Sequence, residues 1–154
     1  MSAGGGHPGA HRPGRRRLAP ALQWLSWWLP PIVYALAIFV ASSISQPPAP
    51  PSGVTDKHVH AVVYGGLALL LFRACARGWP PAWRTWPAAA ALAVAVAYGA
   101  VDEWHQSFVP GRHPELADVA ADALGAFLAI AGAWLVLARR RPAGRADLAA
   151  VPEA

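Results

Sequence analysis

YGAVDEWHQSFVPGRHPELADVAADALGA, residues 98–126, decides how this chain is read. Asp102, Glu103 and Gln106 run into Pro110, Gly111 and Arg112, then into Asp118 and Asp122, and apolar residues flank the whole stretch. Those four acids are half of the eight in the chain. Ionisable side chains are costly where water is scarce, so their clustering needs a local reason, and a binding or chemical site is the first candidate.

The surroundings are scarce in water by composition. Hydrophobic residues make up 55% of the 154 and charged residues 14%, whereas an ordinary soluble domain is about 25% charged. Eight tryptophans fit membrane interfaces. The length leaves room for one compact domain, and the class is integral membrane. A single cysteine, Cys75, excludes an internal disulfide. The net charge of +5 does not point to nucleic acid. Arg12, Arg15, Arg16 and Arg17 precede the first apolar run, and Arg139, Arg140, Arg141 and Arg145 follow the last. Basic clusters in those places set membrane orientation, and no basic module interleaved with aromatics is present. The expected partner is the lipid bilayer.

Working outward, residues 1–17 are expected to be a disordered basic tail, 18–138 a membrane domain and 139–154 a disordered C-terminal tail. The first span runs from Leu18 to about Ile44, long enough to cross about 30 Å of hydrocarbon and longer than the core of a cleaved signal peptide. Pro30 and Pro31 should kink it. Gln46–Gly53 is too rich in proline for regular structure. The second span is about Val59–Ala76, and the tryptophans and prolines of 78–86 form an interfacial connector. The third, Pro87 to about Val101, is short for a crossing and must be completed by its neighbours. The fourth is about Leu116–Ala138. The N-terminal tail, second loop and C-terminus carry eleven Lys or Arg, while the first and third loops carry two, Lys57 and Arg112. Both termini should therefore be cytoplasmic, and the first and third loops should meet on the outer side.

Three polar stripes then share that side. Asp56, His60 and Tyr64 are spaced i, i+4, i+8 and so line one helical face, with Lys57 alongside. Tyr98, Asp102 and Gln106 repeat the spacing if the third helix continues, with Glu103 adjacent. Asp118, Asp122 and Gly125 share a face of the fourth, among Ala and Gly that allow close helix approach. Blander readings exist. Asp56 and Asp118 suit helix N-terminal ends, Asp102 and Glu103 could be a solvated helix end, and His105 and His113 read as ordinary loop histidines. Asp122 lies more than a turn inside its span, so it should pair with Lys57, Arg112 or His60, or be protonated. The set admits three uses: holding a divalent cation, acid–base chemistry by a carboxylate and His60, or a grip on phosphate or carboxylate by Lys57 and Arg112. Spacing alone does not choose among them.

Ser42-Ser43, Ser45-Gln46-Pro47, Asp56-Lys57, His60, Tyr64-Gly65, Leu67, Tyr98-Gly99, Asp102-Glu103, Gln106, Phe108, Pro110-Gly111-Arg112, Asp118, Asp122 and Gly125 follow one family's order. Over about residues 30–137 the chain resembles the VanZ-like family of small bacterial membrane proteins, named for a protein of a glycopeptide-resistance cluster. The resemblance implies four membrane helices, the bacterial cytoplasmic membrane and a link to the cell envelope. It brings no agreed catalytic residues, and it does not make this chain a resistance protein. The longer N-terminal tail and His113-Pro114-Glu115 depart mildly from the pattern.

The expectation is an all-α bundle of four transmembrane helices with an outward-facing polar pocket that binds a surface lipid or peptidoglycan-related ligand. Ligand contacts are assigned to Asp102, Glu103, Gln106, Arg112 and His60. Asp56, Lys57, Tyr64, Tyr98, Asp118 and Asp122 are assigned supporting roles, with no cofactor and no resident metal. The small-residue stripe of the fourth span could also serve a homo-oligomer. The alternatives are a membrane enzyme using metal- or His/carboxylate-assisted chemistry on such a ligand, and a small proton-coupled carrier.

Overall fold

The computed structural model describes residues 19–77 and 85–139. The expectations for the N-terminal tail, for the C-terminal tail beyond Arg139 and for most of the interfacial connector lie outside the described residues. Four helices account for the described chain: α1 Pro20–Ser42, α2 Asp56–Cys75, α3 Thr85–Gln106 and α4 Leu116–Arg139. Their 23, 20, 22 and 24 residues each suffice for about 30 Å of hydrocarbon at about 1.5 Å per residue. All four are apolar enough to cross a membrane.

Local chemistry explains the boundaries. Pro20 opens α1, where its missing N–H removes nothing the first turn needs. The helix then continues through Pro30 and Pro31. Helix α2 begins three residues before the expected Val59 because Thr55 and His58 form a reciprocal cap, with the Thr55 N–H donating to His58 Nδ1 at 3.1 Å. Helix α3 extends past the apolar run at both ends and carries Asp102, Glu103 and Gln106 as helical residues.

The chain runs up and down, so the α1–α2 and α3–α4 loops share one end of the bundle. Helix α2 packs most extensively on α4, and α3 packs against both, while α1 leans on α2 and, less, on α3. The α2–α4 approach depends on glycine: a Cβ on Gly125 would meet the Ala61 backbone, and one on Gly65 would lie 3.1 Å from the Gly125 carbonyl oxygen. Tyr64, Leu67, Ala68, Phe72, Ala91, Ala95 and Ala126 fill the centre. Leu36, Val62, Leu124, Phe127, Leu128 and Leu135 point outward and exposed. An apolar exterior of that extent suits lipid as the surrounding solvent.

The α3–α4 loop is fastened to the end of α1. Gly111 has φ +81°, a conformation natural to glycine, and a Cβ there would lie 2.9 Å from the Ser45 carbonyl oxygen. Arg112 donates through Nε to the Ile44 carbonyl at 3.0 Å and through Nη2 to the Ala41 carbonyl at 3.1 Å. The Ala41 carbonyl also accepts the Ile44 N–H at 3.2 Å, so Arg112 reinforces the turn that closes α1.

Candidate polar cavity at one end of the bundle

The three stripes converge at the end that carries the two loops. Asp102, only 4% exposed, accepts from the Ser42 hydroxyl at 2.6 Å on Oδ1 and from Gln106 Nε2 at 3.2 Å on Oδ2. Gln106 also donates to Glu103 Oε1 at 3.3 Å. The other Glu103 oxygen accepts the backbone N–H of Glu115 at 2.9 Å, just ahead of α4. Glu103 therefore ties α3 to the start of α4, and it does not line the cavity described below.

On the α2–α4 seam, His60 Nδ1 lies 3.0 Å from Asp122 Oδ1, so Asp122 takes the histidine among its three expected partners. With the carboxylate as acceptor, the neutral ring carries its proton on Nδ1 and its lone pair on Nε2. Nε2 faces Asp56 Oδ2 at 4.0 Å. Lys57 bridges Glu115 at 2.8 Å and Asp118 at 3.2 Å. Lys57 beside it holds the Glu115 carboxyl below the ordinary glutamate range. On the α3 stripe, Tyr98 serves helix packing instead, its hydroxyl donating to the Ala35 carbonyl of α1 at 2.7 Å. His105, at the end of α3, packs on the Phe39 ring and has Nε2 3.0 Å from the Ser43 hydroxyl.

Among the described residues, the buried Tyr64 hydroxyl and Asp122 Oδ2 have no hydrogen bond of good geometry, although the Tyr64 hydroxyl is near enough to the Asp102 carboxylate to interact with it. Asp122 Oδ2 is packed against the backbone at Gly99, where a Cβ would come within 2.5 Å of it. Glycine at this position makes the room the carboxylate occupies. The Tyr64 ring is parallel to His60, with centroids 6.1 Å apart.

A cavity of about 690 Å³ opens between α1, α2 and the end of α3. Its polar lining is Ser42, Asp56, His60, Tyr64, Asp102, Gln106 and Arg112. Ile38, Val59 and Val63 form apolar walls, and the proline run Pro47–Pro51 borders it. Of the residues singled out by sequence, Lys57, Tyr98, Glu103, Asp118 and Asp122 stand behind this surface. Ser42 and the proline run were not foreseen as part of the site. The serines closing an apolar run were the available signal for Ser42, and four prolines in five residues make a loop stiff enough to serve as a wall.

The arrangement suits an amphiphile. A pocket with apolar walls and a few converging polar groups binds and orients a ligand that has both characters. Lys57 is engaged by two carboxylates, and Arg112, held by the Ala41 and Ile44 carbonyls, is the cation in a polar lining otherwise rich in acceptors.

A family model described as VanZ/LLP1 matches residues 17–137, which takes in all but the last two residues of the four helices. No curated protein and no solved structure gave a significant match. The chain belongs to the VanZ/LLP1 family and is a multi-pass membrane protein by its four spanning helices.

Proposed function

We propose that this VanZ/LLP1-family protein binds an envelope lipid or a lipid-linked cell-wall precursor in the cavity beside α1. The observation that carries the reading is Tyr64, a residue 1% exposed that lines the cavity, whose hydroxyl has the Asp102 carboxylate as its polar neighbour but forms no bond of good geometry within the chain. Buried polar atoms are almost always well hydrogen-bonded, so a hydroxyl with only a loose contact to Asp102 beside an open cavity favours a partner that arrives from outside the chain. The ligand's headgroup lies toward Tyr64, Asp102, Gln106 and His60, and its hydrocarbon lies along Ile38, Val59 and Val63. An acceptor-rich lining favours a headgroup that brings donors, such as sugar hydroxyls or an ammonium group.

The asymmetry of eleven cationic residues against two supports placing the cavity at the outer leaflet of the bacterial cytoplasmic membrane, with both termini inside. A protein holding a surface precursor there would lower the amount a glycopeptide can reach, which would connect the reading to antibiotic susceptibility. Binding is sufficient for this role, and no catalytic step is assigned.

The test is mass spectrometry of amphiphiles retained by the detergent-purified protein. Wild type is expected to retain one class far above its share of the membrane lipids. Tyr64→Phe keeps the ring and should lose that enrichment by roughly tenfold, the value of one good hydrogen bond. Identical, membrane-like lipid profiles for both proteins would defeat the proposal.

A further inference from the structure

Beside the cavity, Asp56, His60 and Asp118 each offer one ligand atom, and all three atoms lie within 4.8 Å of one another. These residues do more than share an end of the bundle. His60 uses Nδ1 for Asp122, and its free Nε2 faces Asp56 Oδ2 at 4.0 Å. Metal-binding histidines are held this way, with a carboxylate on one ring nitrogen fixing the tautomer and the other nitrogen turned to the ion. The carboxylate here is 1% exposed, with one oxygen on His60 and the other against Gly99. A buried anion of this kind calls for positive charge close by. Among the described residues, Lys57 is the cation beside the cluster, and it is shared between Glu115 and Asp118.

We propose that Asp56, His60 and Asp118 bind a divalent transition-metal ion, with Asp122 holding His60 in register. One imidazole nitrogen and two carboxylates suit ions of the Zn²⁺ or Mn²⁺ class better than Ca²⁺, which prefers six or more oxygens. Ligand distances of about 2.0–2.2 Å place two ligand atoms up to about 4.4 Å apart, so the His60–Asp56 spacing already fits. Asp56, with its side chain 58% exposed, is free to move the small remaining distance. Lys57 gives up Asp118 when the ion enters and keeps Glu115. Asp56 and His60 line the cavity, so the ion sits at its edge. The lipid reading stands or falls separately, because it rests on Tyr64.

The test uses the full chain with an affinity tag free of histidine, purified in detergent and stripped with EDTA. It is titrated calorimetrically with ZnCl₂ and, separately, with MnCl₂ at near-neutral pH. One saturable site is expected for at least one ion. Asp122→Asn should weaken it roughly ten- to a hundredfold, the usual effect of losing a group that orients a ligand. Asp56→Asn, at a side chain 58% exposed, should weaken it by a similar factor. His105→Gln and His113→Gln should bind as wild type does. No saturable binding up to about 1 mM for either ion would overturn the site. So would wild-type affinity in Asp56→Asn, or loss of binding in the His105 or His113 variant, which marks surface histidines as the ligands.

Discussion

Gly125→Ala adds one methyl group to α4, and its effect is expected to be among the largest of any small substitution in the chain. The added Cβ would coincide with the backbone of Ala61, including its carbonyl oxygen, and no side-chain rotamer can relieve that overlap. The helices must separate along the most extensive packing seam of the molecule. Overpacking costs about 1–3 kcal/mol, and backbone-on-backbone contact places this case at the upper end. A separation of even 0.5–1 Å forfeits roughly a quarter to a half of the dispersion energy of facing atoms. The opposing term is the helix propensity of alanine over glycine, about 1 kcal/mol. The net expectation is a loss of at least about 2 kcal/mol.

Gly132→Ala supplies the control on the same helix, because a Cβ there meets nothing within 4 Å. Only the propensity gain applies, so the variant should match wild type or gain up to about 1 kcal/mol. The two variants should therefore differ by about 3 kcal/mol, more than a hundredfold in the unfolding equilibrium. Unfolding by SDS in mixed micelles, followed by tryptophan fluorescence, measures this directly. Gly125→Ala within about 0.5 kcal/mol of wild type would refute the close approach of α2 and α4, as would equal losses in both variants.

Two further expectations separate groups that look alike in sequence. Tyr98→Phe removes the 2.7 Å bond to the Ala35 carbonyl and should cost about 0.5–1.5 kcal/mol by the same assay. Tyr64→Phe removes a more deeply buried hydroxyl whose contact with Asp102 falls short of good hydrogen-bond geometry, so ligand-free protein should lose less than Tyr98→Phe does; a larger loss in Tyr64 than in Tyr98 would reverse the roles given to them. For orientation, single cysteines at Ser52 or Ser107, both exposed and in the two loops at the cavity end, should react with an impermeant thiol reagent on intact cells in a Cys75→Ala background. Labelling only after lysis would turn the protein over in the membrane. Gln106 is a poor probe for this purpose, since it is buried.

The number, order and class of the helices were legible because long apolar runs have few alternatives in a chain this poor in charge. Helix α3 was the least legible. Its apolar run stops at Val101, and Asp102, Glu103 and Gln106 resemble an exit into water by composition. They remain helical because each meets a partner: Ser42 for Asp102, the Glu115 N–H for Glu103, and both carboxylates for Gln106. Helical spacing showed which residues share a face, and so the meeting of the stripes could be argued in advance. It carries no information about a partner some sixty residues away, as in Ser42 with Asp102 or His60 with Asp122. For the same reason Arg112 looked like an anion grip, whereas its guanidinium is fastened to the end of α1.

The polar residues at this end fall into two populations by what they touch, and the division explains how a small membrane domain can keep an open cavity. Glu103, Tyr98, Arg112 and the Lys57–Asp118 pair join one helix or loop to another. In a medium that offers no water to compete, such bonds hold the helix ends in place and leave little driving force for the cavity to collapse. Tyr64 gains only a loose contact with Asp102 for its hydroxyl, and His60 gains nothing for Nε2 beyond a distant contact with Asp56. Replacing Tyr64 by phenylalanine would remove a polar atom that lacks a well-formed hydrogen bond, at no cost to packing. A fold governed by stability alone would favour that exchange. The proposed ligand would supply the partner that the bundle does not, and the stapled helix ends are what keep Tyr64 beside an open cavity.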